Sequence, residues 1–403
     1  YNILENFFAP YLFNGALIDP GVEIVSFYAD QFPQDDMARD VSKRMGVPLY
    51  PSIEDALRCG TRTLAVDGVL IICEHGEYPY NALGQKLYPR KEWFDRAVGV
   101  MRSAKRYVPL FTDKHFSHRF DGAREMVDTA RRAGMPLLGG SSVPLAERRP
   151  MLELPPGAAI EEAVSIHGGG FEVYDFHALE VLQSMMENRR GGETGVAKIE
   201  FLDAEAARRA AEAGRWSRDL VQAALAAERA LPNERQPRPP IGKRPDQIRD
   251  EPDDPSLVRH AILVTYRDGT RATVLAAGRN SDRWNFACRI RGEAKPHATT
   301  FFNSPWGNRG LFKALSHAAQ RLFIDQREPF PAERTLLTTG MTAAAVNARA
   351  KPGGVLDTPE LAIAYQPVDW SRFRERGSTW KLITIATPQP LTWDPGDAKH
   401  VKH

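Results

Sequence analysis

The sequence predicts a two-part fold. An α/β half built on a doubly wound parallel sheet is followed by an α+β half built on an open, mainly antiparallel sheet. Three observations carry this. At 403 residues the chain is too long for one ordinary core. Up to about residue 150, short apolar runs alternate with amphipathic helical stretches. Beyond it the apolar runs lengthen and include a hairpin turn. The predicted domains are therefore 1–150 and 151–403.

In order, residues 1–17 read as a helix and "VEIVSFYAD" (22–30) as an apolar strand ending in an acid. "DDMARDVSKRMG" (35–46) is a helix closed by glycine, 47–50 a short strand and 52–60 a capped helix. "VDGVLIIC" (66–73) is a buried strand, 90–105 a helix, "YVPLFTD" (107–113) a strand, 121–134 a helix and 135–142 a last strand and turn. In the second half, 159–170, 195–207, 259–278 and 283–294 read as strands, with "RDGT" as a hairpin turn. Helices are predicted at 175–189, 216–230, 309–326 and 333–350, and a further strand at 361–366. The proline-rich, charged segment 231–255 reads as an exposed loop.

The formal net charge of +2 gives no support to a nucleic-acid or membrane-surface role. No apolar stretch approaches the ~20 residues of a membrane helix. The odd, scattered cysteines Cys59, Cys73 and Cys288 do not suggest a disulfide framework. A cytoplasmic location is favoured. Because the chain starts at Tyr1 and not Met, a secretory segment, and a first strand with its phosphate turn, have room upstream, so secreted and periplasmic locations stay open. The uncovered sheet face expected in the second half predicts a homo-oligomer.

In a doubly wound sheet, ligands bind beyond the carboxyl ends of the strands. Three clusters lie there. Asp30 ends the second strand, where an acid can accept hydrogen bonds from a ribose, or simply serve a turn. Glu74, His75 and Glu77 follow the strand 66–72 and read as pocket lining. "TDKH" (112–115) follows the next strand. A lysine there can have its pKa lowered by desolvation or a neighbouring cation, and so exchange protons near neutrality. His115 and His118 have no third ligand in view, and no metal site is assigned. In "IHGGGFEVYDFHALE" (166–180), Asp175 reads as a helix cap. His177 near a helix N-terminus tends to stay neutral, which suits proton transfer as well as a purely internal hydrogen bond. The glycine fingerprint G-x-G-x-x-G is not present.

A strand ending in acid–lysine, with a Gly-rich strand, an acid, a histidine and a further acid one domain later, resembles the Gfo/Idh/MocA family. These are the glucose–fructose oxidoreductase and inositol dehydrogenase-like proteins. "VDGVLII", "FTDKHFS" and "YDFHALEVLQ" carry the resemblance, which spans residues 22–366. It implies an N-terminal Rossmann domain, a C-terminal open-sheet domain, and NAD or NADP as cofactor. By the same resemblance Lys114 and His177 take the catalytic places, and Asp30, Glu74 and Lys114 contact the cofactor. His75, Asp113, His115 and Asp175 line the substrate pocket. Asp113 and His115 stand where the family has glutamate and proline. The implied activity is oxidation of a sugar, polyol or related hydroxyl compound. The alternatives are a sugar lyase, hydratase or epimerase, with a metal on His75 and His115 in one version, or a non-catalytic ligand-binding scaffold.

Overall fold

The computed structural model describes residues 2–34, 36–232 and 253–401. Most of the proline-rich segment lies outside these. The expected N-terminal helix does not form. A 3-10 turn at Leu4–Phe7 leads into a hairpin of β1 (Tyr11–Phe13) and β2 (Ala16–Ile18). Asn14 and Gly15 adopt φ of 50° and 79° at its turn, the left-handed values that an Asn-Gly hairpin requires. That dipeptide outweighs the helical spacing of the surrounding apolar residues.

The parallel half then runs β3 (Phe27–Tyr28), α1 (Ala38–Met45), β4 (Leu49–Tyr50), α2 (Ile53–Arg58) and β5 (Val69–Ile71). It continues with α3 (Arg90–Ser103), β6 (Leu110–Asp113), α4 (Phe120–Ala133) and β7 (Leu137–Gly140). All these strand pairs are parallel, but they form two pieces, β3 with β4 and β5-β6-β7. The strand expected over 22–30 is regular only at Phe27–Tyr28. Alternation along the strands sorts the core. Leu110 and Leu137 pack with residues of α3 and α4, whereas Phe111 and Leu138 pack with Ala314, Leu315 and Ala318 from the C-terminal half.

The second half contains β8 (Glu147–Arg149), β9 (Ile160–His167), α5 (Val173–Met186), β10 (Val196–Asp203), α6 (Ala204–Glu212) and α7 (Arg218–Arg229). It continues with β11 (Val258–Tyr266), β12 (Arg271–Ala277), β13 (Trp284–Ile290), β14 (His297–Phe302), α8 (Asn308–Asp325), α9 (Ala332–Ala350) and β15 (Val355–Asp357). Its eight-stranded sheet has the order β15-β10-β11-β12-β9-β13-β14-β8, antiparallel except for β12 with β9. The "AEAA" that ends the strand predicted at 195–207 is the start of α6, capped by Asp203. Residues 361–366 form no strand beyond an isolated bridge from Tyr365 to Glu193.

The sheet is open in its strand order, with β15 and β8 as its edges, but its faces are packed. α5 and α9 pack on one face. Trp216, Leu220, Ala224 and Leu225 of the α6–α7 region bury Val164, Ile166, Leu263 and Leu275 on the other. The apolar face that predicted a homo-oligomer is thus covered by the chain itself. α5 is buried from Ala178 to Met186 on every side, including Glu180, Gln183 and Ser184, because it lies between the sheet and α9. Among the described residues no helix is long and apolar enough to cross a membrane.

Candidate active site

The carboxyl ends of β5, β6 and β7 bring Glu74, Lys114 and Ser141 together. Lys114 has φ 67°, a left-handed value costly for a side-chain-bearing residue. Two backbone hydrogen bonds with Gly140 hold it there, Lys114 N to Gly140 O at 3.1 Å and Gly140 N to Lys114 O at 3.0 Å. Gly140 is required in turn. A Cβ on it would meet Glu180 Oε2 at 2.6 Å, and its own φ is 119°.

Lys114 Nζ lies 2.6 Å from Glu74 Oε2 and 2.8 Å from Asp113 Oδ2, with the lysine side chain 7% exposed. Burial alone would lower the lysine pKa, but the two carboxylates raise it above its ordinary value. The predicted lowering is therefore corrected: Lys114 is a fixed cation and not a proton-exchanging amine. Burial pushes Glu74 up, yet Lys114 outweighs it and holds the carboxyl at about 2. Burial raises Asp113, whose second oxygen has no hydrogen-bond partner.

His177 enters from the first half of α5. Its Nδ1 lies 2.6 Å from Ser141 Oγ, and that oxygen already accepts the Val143 N–H at 3.0 Å. A hydroxyl oxygen accepts two hydrogen bonds, so in the Nδ1–H tautomer Ser141 Oγ takes the imidazole N–H as well and the lone pair on Nε2 is left free to accept a proton. Burial, followed by the charge of Lys114, lowers His177 to about 3, so the ring is neutral.

His115 is buried edge-on against Phe176, with ring centroids 5.3 Å apart. Its Nδ1 is 3.0 Å from Ser117 O, and Arg90 approaches Nε2 at 3.2 Å. The carbonyl takes the imidazole N–H and the guanidinium donates to the other nitrogen, so this ring too is neutral. Burial and Arg90 lower its pKa well below the ordinary value. Glu172 Oε1 stands 3.7 Å from His115 Nε2. Burial raises Glu172 to about 7.

The other predicted residues fall apart from this group. Asp30 is exposed at the end of β3 and accepts from the Tyr28 and Tyr78 hydroxyls at 2.8 and 2.9 Å. His75 is exposed with φ 69°. Asp175 is not the helix cap. Glu172 is, in a reciprocal pair with Asp175. Asp175 is fully buried between His167 and His260. The one group of three metal-ligating side chains found among the described residues is this His167–Asp175–His260 set, and it contains neither His75 nor His115. Sequence reasoning missed Arg90, Ser141, His167 and His260. A histidine inside each of the apolar runs "SIH" and "RHAILV" was the available signal for the last two.

No protein-family model matches this sequence, and no curated protein does. Solved structures do match. GenD2 from gentamicin A biosynthesis, in complex with NAD, aligns with TM-score 0.50 and 11% identity over 84% of this chain and 90% of that one. Myo-inositol 2-dehydrogenase from Lactobacillus plantarum aligns with TM-score 0.48 and 12% identity over 83% and 91%. A probable dehydrogenase from Thermotoga maritima aligns with TM-score 0.46 and 9% identity over 84% and 93%. The likeness to GenD2 is one of fold. This chain has the two-part fold that the sequence predicted, a Rossmann-type parallel half followed by a half built on a larger, mainly antiparallel sheet.

Proposed function

We propose that this protein is an NAD(P)-dependent oxidoreductase acting on a hydroxyl group of a sugar, polyol or related compound. The observation that carries the reading is the pairing of a fixed cation, Lys114, with a neutral imidazole, His177, beyond the carboxyl ends of parallel strands.

The residues fit a nicotinamide dinucleotide at two of its parts. Asp30 offers an exposed carboxylate for ribose hydroxyls, and Glu74 and Lys114 bound the inner end of the site. A dinucleotide bound along this edge would supply the hydride acceptor. Lys114 orients the substrate hydroxyl and stabilises negative charge developing on its oxygen, a task for a permanent cation. His177 takes up the hydroxyl proton, and Ser141 sets its ring orientation. Asp113 and Glu74 fix the lysine and do not exchange protons in this scheme.

The test is cofactor-dependent oxidation of a panel of polyols and sugars by the purified chain, followed through formation of reduced cofactor. Turnover on at least one polyhydroxylated substrate is expected. Absence of turnover with both NAD and NADP across the panel would remove this reading.

A further inference from the structure

One aromatic layer behind His177, three more ionisable side chains meet. His167 Nε2 and His260 Nε2 lie 3.0 and 2.8 Å from the same atom, Asp175 Oδ1. The candidate ligand atoms all fall within 4.8 Å of one another. The side chains are 0%, 7% and 1% exposed for His167, His260 and Asp175. We propose that this is a binding site for one divalent first-row transition ion, zinc by its donor set. The inference does not depend on the function proposed above.

The sheet register shows how the sequence builds it. In β12, Ala276 pairs with His260 of β11 on one side and with His167 of β9 on the other. Directly paired residues point to the same face, so both imidazoles rise from one row, two strand spacings or roughly 10 Å apart at the backbone. The residue between them is an alanine, small enough for the two rings to converge above it. α5 packs on β9 and β12 and delivers Asp175 to the same point. Three ligands thus come from three elements whose positions the core already fixes.

The carboxylate is also oriented as a ligating carboxylate is. Its Oδ2 accepts the Glu172 N–H at 2.8 Å, which leaves Oδ1 facing the imidazoles. The walls are aromatic. Phe171 and Phe201 lie 5.4 and 5.5 Å from the His260 ring, and Trp284 lies 6.3 Å from His167. With two neutral imidazoles the set carries one buried negative charge, which a divalent cation offsets. Two nitrogens and one oxygen at this spacing suit zinc and its neighbours better than calcium or magnesium, which take oxygen-only shells. With three protein ligands, water or hydroxide takes the fourth position. The ion would tie the first turn of α5, two residues before His177, to β9 and β11, and so brace the wall formed by Tyr174 and Trp284.

The full chain, produced in zinc-supplemented medium and separated from loose metal, should carry one zinc per chain by elemental analysis. Produced with cobalt instead, it should show the visible absorption of a low-coordinate Co2+ site. His260→Ala and Asp175→Asn should each lower retained metal at least about tenfold. Should either variant misfold, the wild-type cobalt spectrum decides alone. Substoichiometric zinc together with a featureless cobalt spectrum overturns the proposal, as does wild-type-like metal content in a folded His260→Ala variant.

Discussion

Two clusters built from the same kinds of residue lie on opposite sides of Tyr174 and Trp284. On one side Lys114, Glu74, Asp113 and His177 gather at strand ends, and Glu74 keeps a quarter of its side chain in solvent. On the other, His167, Asp175 and His260 are sealed within the fold. Access separates them. A cluster open at one edge can meet a small organic substrate, whereas a sealed one has room for an ion or for nothing. The first holds its cation between two carboxylates, while the second converges on a single carboxylate oxygen.

The comparison breaks first at Lys114. Lys114→Met should lower turnover about 10²–10⁴-fold with circular dichroism unchanged. Unchanged turnover would place the reactive group elsewhere. A third buried cluster supplies the contrast. Arg334 pairs with Glu187, which also accepts from Tyr365 and Trp370 at 2.9 and 3.1 Å. Arg334→Ala strands a buried carboxylate and should cost about 3–5 kcal/mol in denaturant unfolding. The folded fraction should keep normal turnover. A loss of turnover at full stability would show that this cluster is not merely structural.

His317 sharpens the contrast by acid stability. It stacks on Phe13 and bonds Tyr11, joining the N-terminal hairpin to α8. Burial lowers it from 6.5 to about 4. Between these values the unfolded chain binds the proton and the folded chain does not. Stability therefore falls as pH drops from about 6.5 to about 4, by about 3 kcal/mol for this group. His317→Gln should flatten that part of the stability profile, and an unchanged slope would reassign it. The smallest effect belongs to Ser141→Ala. Losing one hydrogen bond to a neutral ring should cost about 0.5–1.5 kcal/mol, read as a several-fold drop in kcat with KM nearly constant. A loss as large as that of Lys114→Met would make Ser141 a participant and not a support.

Much of the architecture was legible because period and punctuation agreed. The stretches around 90–140 and the long helices after 300 carry clear apolar periodicity, and α1 and α4 close on Gly46 and Gly134. The N-terminal hairpin was misread because its three-residue strands are too short to show alternation, although Asn14–Gly15 marked the turn. α6 was missed because Asp203 ends a strand and caps a helix at once. In the site, strand-end position singled out Lys114 and Glu74. The charge state of Lys114 was not readable, since it depends on Glu74 arriving from another strand. The His167–Asp175–His260 set was invisible for the same reason. Sheet register joins its two histidines and the packing of α5 brings Asp175 to them, and one sequence displays neither.

The central claim is that the strand-end site holds a nicotinamide dinucleotide beside Lys114. Its most direct test is a fluorescence titration of the purified full chain with NADH and with NADPH. Saturable binding of at least one, weakened by Asp30→Ala, is the predicted result. No binding of either by a folded chain would contradict it.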